Sequence, residues 1–299
     1  MLPTRFILAM RGATIFCMQA LLAKYPRDFA AIPLPKLESK SYGKTDADIA
    51  ANQAVEEVRI EALTAQIVKC FQEACAKNTN VICTMALIAG DIVILDALHR
   101  AGVLDKVTII FIDTYTLFPE TVAFLHELED KYGFKSKVYQ AEGIATQAIF
   151  EAEHKDEYFD EGKLVDISGY DKLCKEDPMK KALTENKSDM WINGRRRDHG
   201  AERANLHIWE GGKLNPLAFW TFEDCFVYLR KYNVPYHPLH DVGYSSIGDM
   251  HSTIPVPVEE WMAYGNERKG RFVGMQTADG QKKTECGIHN NVETEEGAK

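Results

Sequence analysis

Val81-Ile82-Cys83-Thr84-Met85 and Val107-Thr108-Ile109-Ile110-Phe111-Ile112 are two short apolar runs, separated by a stretch of helical spacing from Asp91 to Ala101 that Gly102 closes. Runs that stay apolar without alternating suit strands buried on both faces. Glycine just past a helix takes the left-handed cap that ends it. Strand, helix, strand at this spacing predicts an α/β domain with a mainly parallel sheet. Upstream, Ile49 to Ala76 places Val55, Val58, Ile60, Leu63, Ile67 and Phe71 at helical spacing. Downstream, Pro119 with Glu120 opens a helix that Gly133 ends. Lys137-Val138-Tyr139 and Met190-Trp191-Ile192 are further strands, and the capping-box pattern of Thr221-Phe222-Glu223-Asp224 starts a helix to about Tyr232. Ligands on such sheets bind at the carboxyl ends of the strands, which singles out Thr84–Asp91, Asp113–Glu120 and Gly194–Arg203.

The chain has 299 residues and 45% hydrophobic content, ordinary for one or two folded domains. Lysine and arginine total 35 against 44 acids, a formal charge of −9. That balance argues against sequence-independent nucleic-acid binding, which needs a basic face, and no apolar run is long enough for a membrane span. Neither point excludes a small anion held by local arginines. The seven cysteines are scattered and never form Cys-x-x-Cys, so no zinc site or disulfide framework is expected, nor any other bound metal.

Residues 1–35 read as an organelle transit peptide or an ordinary N-terminal arm, because Arg5, Arg11, Lys24 and Arg27 precede the first acid, Asp28. Thr14 to Ala23 also passes as a short signal-peptide core, against which Arg11 counts. A linker follows over 36–50, then an α/β domain over 51–265 and a polar tail over 266–299. Gly194-Arg195-Arg196-Arg197 at a strand end suits a multi-oxygen anion, since guanidinium groups bind oxyanions bidentately. Glu267-Arg268-Lys269-Gly270-Arg271 is a second basic turn, fifteen residues before Cys286. Cations lower a thiol's pKa, and the thiolate is the nucleophile. The residues alone thus indicate an anion-binding domain with a mobile tail whose cysteine is either a nucleophile or a bystander.

Taken in order, Asp113-Thr114 with Leu117-Phe118-Pro119-Glu120-Thr121, Gly194-Arg195-Arg196-Arg197 with Arg203-Ala204-Asn205-Leu206, Tyr236-His237-Pro238-Leu239, and Glu285-Cys286-Gly287-Ile288-His289 resemble the sulfonucleotide reductases. The match spans roughly residues 55 to 291. The resemblance implies a Rossmann-like, adenine nucleotide alpha-hydrolase-like fold and an oxidoreductase of sulfate assimilation, on the route to cysteine. Cys286 would attack the sulfur of the bound nucleotide to give an S-sulfo-cysteine, from which a thiol of thioredoxin or of glutaredoxin with glutathione releases sulfite. By the same resemblance Lys175, Arg196, Arg197, Arg268, Arg271 and His289 surround the phosphate and sulfate, and Asp113, Thr114, Thr84 and Gly90 complete the substrate site. The expected partners are the nucleotide and the external thiol donor, with a homodimer left open and no nucleic acid or membrane.

Two departures from the family matter. Where cluster-containing members carry four cysteines, this chain has Tyr170, Asp171, Asp249 and Ser252, so no four-iron cluster is expected. The phosphate loop, Thr84 to Asp91, keeps only Thr84, Gly90 and Asp91 of its usual character, and Tyr115 replaces a customary glycine near the adenine pocket. The altered loop and the plastid-like leader favour adenylyl sulfate as substrate and a plastid location. Phosphoadenylyl sulfate and the cytoplasm are the alternatives. An ATP-pyrophosphatase on this fold should carry Ser-Gly-Gly-x-Asp-Ser, which is absent. A non-catalytic nucleotide-binding descendant is a third reading, opposed by Cys286 standing with its charge partners.

Overall fold

The computed structural model describes residues 46–200, 203–261, 263, 265–277, 280–285 and 288. The leader, residues 36–45 of the expected linker, Cys286 and His289 lie outside them. Helix α1 spans Asp46–Lys77, so the last five residues of that linker are helical. No proline or glycine interrupts this segment. Strand β1 (Val81–Met85), helix α2 (Ala89–Arg100), β2 (Val107–Ile112), α3 (Pro119–Tyr132) and β3 (Lys137–Tyr139) follow. Gly133 ends α3 at φ 69, the left-handed conformation its position requires. Past a small hairpin of β4 (Phe159–Asp160) and β5 (Lys163–Leu164), a π-helical turn Lys172–Glu176 joins α4 (Ile167–Asp171) to α5 (Asp177–Glu185). Then come β6 (Met190–Ile192), β7 (Trp209–Glu210), β8 (Lys213–Leu214) and α6 (Phe222–Lys231).

The main sheet has the order β3-β2-β1-β6-β8-β7 and is parallel except for β7. Side chains on successive strand residues point to opposite faces. Val81, Cys83, Ile109 and Ile192 therefore join the larger core with α1, α2 and α6, while Ile82, Ile110 and Trp191 meet Met179 and Leu183 of α5 on the other face. The result is a three-layer sheet covered on both sides. At the start of α6 the capping box is complete, with Asp224 accepting from Thr221 N and Thr221 Oγ1 accepting from Asp224 N. Arg59 of α1 donates twice to the same Asp224 carboxylate, at 2.7 Å each, tying α1 to the first turn of α6. No helix among the described residues is long and apolar enough to cross a membrane.

β2 and β3 lie on one side of β1, and β6 lies on the other. The chain thus changes direction between β1 and β6, where ligands of open α/β sheets bind. The segment from residue 266 is built into this end of the domain: Glu267, Gly270 and Phe272 are buried, and Arg271 pairs with Thr253 in a short antiparallel bridge.

Candidate active site

A cavity opens at the carboxyl ends of β1, β2 and β6, with Thr84, Met85, Phe111, Ile112, Asn193 and Gly194 in its wall. Lys175, Arg195, Arg203, Arg268 and Arg271 also line it, against two carboxylates, Asp91 and Asp249. In a chain of net charge −9 this local excess of cations marks an anion site.

The loop after β1 closes on itself. Asp91, in the first turn of α2, accepts from Ala86 N at 2.7 Å and from the Ile88 backbone. A phosphate loop leaves such N–H groups for its ligand; here a carboxylate of the chain takes them. Burial pushes the Asp91 carboxyl up to about 6, against those backbone bonds. Gly194 permits this arrangement, since a Cβ there would lie 2.5 Å from Asp91 Oδ1. Thr84 reaches the cavity and its hydroxyl accepts from Trp191 Nε1. Gly90 is turned away from the cavity wall: a Cβ on it would meet Arg196 Nη1 at 3.0 Å, so this glycine makes room for the arginine.

Arg196 and Arg197, expected at the anion, are likewise not in the wall. Arg196 is fully buried behind it, donating to Asp198 at 2.9 Å and to Glu267. Arg197 donates to Leu206 O and lies 4.0 Å over the Phe219 ring. Arg195 and Arg203 face the cavity instead. Arg203 belongs to the motif quoted above, but nothing in its spacing separates it from its neighbours. The turn Arg197–His199 and Gly200 at φ 72 separate Arg203 from the three successive arginines.

His199 connects these layers. Its Nδ1 lies 2.8 Å from Arg203 Nη1 and its Nε2 3.0 Å from Glu267. A guanidinium only donates, so Nδ1 accepts and Nε2 carries the proton to the carboxylate. The imidazole is therefore neutral; burial and the nearby Arg196 charge lower it to about 3. Burial alone would raise Glu267, yet Arg196 and His199 hold it well below the usual carboxylate range. The ligand atoms of Asp198, His199 and Glu267 lie within 4.8 Å of one another, but these donors are already engaged by Arg196 and Arg203.

His237, which accepts from Leu239 N and shares a hydrogen bond with Thr121, is lowered to about 4 by burial and by His240. Both imidazoles titrate near 6.5 in an unfolded chain. Between pH 6.5 and about 4 the unfolded chain thus binds more protons at these groups, and stability falls on acidification. Asp91 opposes this, because its raised carboxyl gains protons in the folded state below about 6. Four lowered histidines, His199, His237, His240 and His251, against three raised carboxyls, Asp91, Asp198 and Glu176, predict a falling melting temperature from pH 7 to pH 4.5. A flat or rising profile would overturn the expectation that the histidine contribution outweighs the raised carboxyls.

On the other wall, Lys175 is turned inward by the π-helical turn and is buried between Asp171 (2.6 Å) and Asp249 (2.7 Å). Thr114 donates its hydroxyl to Asp249, whose carboxyl is held well below its ordinary range by Lys175 despite burial. Asp113 stands outside the wall and accepts from Tyr115 N and Gln140 Nε2, which shapes the loop after β2. Tyr115 sits at φ 65, the backbone that a glycine would adopt without strain, and is held by its hydroxyl bond to Ile144 O (2.6 Å) and by stacking on Phe150. It points into that aromatic cluster and not into the cavity. Tyr170, Asp171, Asp249 and Ser252, at the cluster-ligand positions, offer a phenol, two lysine-paired carboxylates and a hydroxyl, a donor set that does not fit an iron–sulfur cluster.

The C-terminal segment returns to the cavity. Lys283 pairs with Asp171, and Glu285 pairs with Arg203 and Arg268. Arg268 also donates to Thr284 O, and Ile288 packs against the buried cluster that includes Ile82, Ile110, Met179 and Trp191 while lining the cavity. Arg271 donates to Ile247 O and lies 4.9 Å over Phe272. Of the ten residues expected around the substrate, the structure brings Lys175, Arg268, Arg271, Thr114 and Thr84 together at one cavity. Arg196, Arg197, Asp113 and Gly90 stand behind or beside it. Of the other cavity residues, Asn193 lies outside every segment singled out in the sequence, whereas His199 falls within Gly194–Arg203 and Asp249 at a cluster-ligand position, neither marked as a substrate residue.

Residues 80–255 match the model of the phosphoadenosine phosphosulfate reductase domain. A protein of Emericella nidulans called phosphoadenosine phosphosulfate reductase is 36% identical over 207 residues, covering 67% of this chain and 63% of that protein. A phosphoadenosine 5'-phosphosulfate reductase of Xanthomonas euvesicatoria is 36% identical over 190 residues, 62% of this chain and 72% of its own length. The crystal structure of phosphoadenylyl-sulfate reductase from Candida auris, in a phosphate complex, matches with TM-score 0.55 and 29% identity over 66% of this chain and 96% of that one. With more than half of its length, and the cavity-forming ends of β1, β2 and β6, inside the matched region, this chain belongs to the phosphoadenosine phosphosulfate reductase domain family.

Proposed function

We propose that the chain reduces a sulfonucleotide to sulfite, with phosphoadenylyl sulfate as the substrate. The observation that carries this reading is the cation-lined cavity at the sheet's switch point, in a chain whose fungal and bacterial relatives bear that substrate in their names. Cys286 attacks the sulfur, breaking its bond to the phosphate oxygen, so that the 3'-phosphorylated AMP leaves and an S-sulfo-cysteine forms. A thiolate of reduced thioredoxin or glutaredoxin attacks the Cys286 sulfur, and sulfite departs with the electron pair. The donor's second thiol then resolves the mixed disulfide. The cations of the cavity wall, several of which are shared with Asp171, Asp249, Glu210 and Glu285, stabilise charge that develops on the leaving nucleotide, the kind of fixed electrostatic stabilisation that contributes most to such transfers. Glu285, which pairs with Arg203 and Arg268 of the cavity wall, and Ile288, which lines the cavity, lie on either side of the cysteine in sequence, which supports a role for the tail there.

The expectation of adenylyl sulfate gives way to the phosphorylated nucleotide on the strength of those relatives. One observation favours the unphosphorylated nucleotide: Asp91 already occupies N–H groups of the loop after β1, which reduces the anion capacity of that loop. Sulfite release from the two nucleotides side by side, with reduced thioredoxin, tests the choice. Faster release from phosphoadenylyl sulfate is expected. The reverse preference would retain the mechanism and overturn the substrate, and nucleotide binding without sulfite would support a non-catalytic role.

A further inference from the structure

We propose that Asn193 is a direct hydrogen-bond donor to an anionic oxygen of the bound ligand, a binding residue that none of the motifs marks. The inference rests on the reading of the cavity as an oxyanion site. Asn193 follows β6 and so stands at the switch point between β6 and β1, in the cavity wall. It is 1% exposed.

Its amide is oriented without ambiguity. Arg195 Nε and Arg195 N lie 3.0 and 3.3 Å from Asn193 Oδ1. Both are obligate donors, so the atom facing them is the oxygen and the –NH2 group points the other way. That Nδ2 is buried and has no hydrogen-bond partner. Buried polar groups are almost always paired, and an unpaired donor carries its full desolvation cost. A ligand acceptor in the adjoining cavity removes that cost. Charge polarises the group further: a carbonyl that accepts from a guanidinium makes its own N–H a stronger donor. With Arg203, Arg268 and Arg271 sharing the cavity, the matching acceptor is a phosphate or sulfate oxygen.

Arg195 is itself anchored by Glu210 and Asn215. Asn193 therefore has two candidate roles, donating to the ligand or merely steadying Arg195, and a double-mutant cycle separates them. Calorimetry of full-length protein with inorganic pyrophosphate, and separately with adenosine 3',5'-bisphosphate, reads the affinities. Asn193→Ala should weaken pyrophosphate binding by about tenfold, and should still weaken it severalfold in an Arg195→Ala background. An unchanged affinity overturns the proposal. So does an effect that vanishes once Arg195 is gone, because the asparagine would then act only through the arginine. Should Asn193→Ala fail to fold, Asn193→Ser, whose hydroxyl is a bond shorter, takes its place with the same readings. If the unchanged protein binds pyrophosphate but not the bisphosphate, the nucleotide reading fails while Asn193 is still tested. If it binds neither, both fall.

Discussion

On the proposed mechanism, replacing Cys286 with serine is expected to abolish sulfite release, by about a thousandfold or more, and to leave nucleotide affinity close to that of the unchanged protein. The size follows from the chemistry, because a serine hydroxyl remains protonated at neutral pH and cannot act as the soft nucleophile that sulfur transfer requires. The described cysteines offer no substitute. Burial pushes the Cys70 and Cys174 thiols up to about 12, aided by Glu73 and Asp249 respectively. It raises Cys83 and Cys225 well above the ordinary range and raises Cys75 as well. None of the five supplies a thiolate near neutral pH. Assays of sulfite release and of nucleotide binding on the same preparation check this. Sulfite formed by the serine variant at a substantial fraction of the normal rate would place the nucleophile elsewhere.

The largest effect on stability is expected at Arg196. Arg196→Met retains much of the aliphatic volume and removes the guanidinium that donates to Asp198 and Glu267. Two carboxylates then share a buried site with only His199 and the Phe222 backbone as partners. Breaking a buried pair in this way costs about 3–5 kcal/mol, because the stranded charge has no water to replace its partner. For a domain of this size that lowers the melting temperature by roughly 10 °C. The deficit has a pH signature. Without the guanidinium, Glu267 is raised in the folded state and takes up protons there first, so the gap between variant and unchanged protein narrows as the pH is lowered from 7 to 5. A loss below about 1 kcal/mol at pH 7 would show that water reaches the carboxylates after all. Because Arg196 also packs 5.7 Å over Phe222 and against Gly90, Arg196→Lys is expected to recover only part of the stability.

Much of the scaffold was legible because its signals are local. β1 and β2 fall on the quoted apolar runs, β3 and β6 on the two further expected strands, Gly133 ends α3, and the Thr221–Asp224 box starts α6. Each of these depends on a residue's own backbone preference or on neighbours within one turn. The hairpin of β7 and β8 was not legible, since strands of two residues carry no periodicity and are held by pairing with β6. The cluster-ligand positions could be read as lacking thiolates, but not as a lysine clamp. Asp171 and Asp249 are 78 residues apart in the chain and meet only because Lys175 lies between them.

The arginines show the division most plainly. Their number, their place after a strand and their affinity for oxyanions belong to the sequence, as do the absent iron ligands and the family motif around Cys286. Which guanidinium faces the ligand was decided elsewhere, by Glu267 seventy-one residues away drawing Arg196 into the interior while Arg195 and Arg203 keep the cavity. A charged side chain settles where its desolvation is best compensated, and the compensating partners here are brought close only by the folded sheet and the returning C-terminal segment.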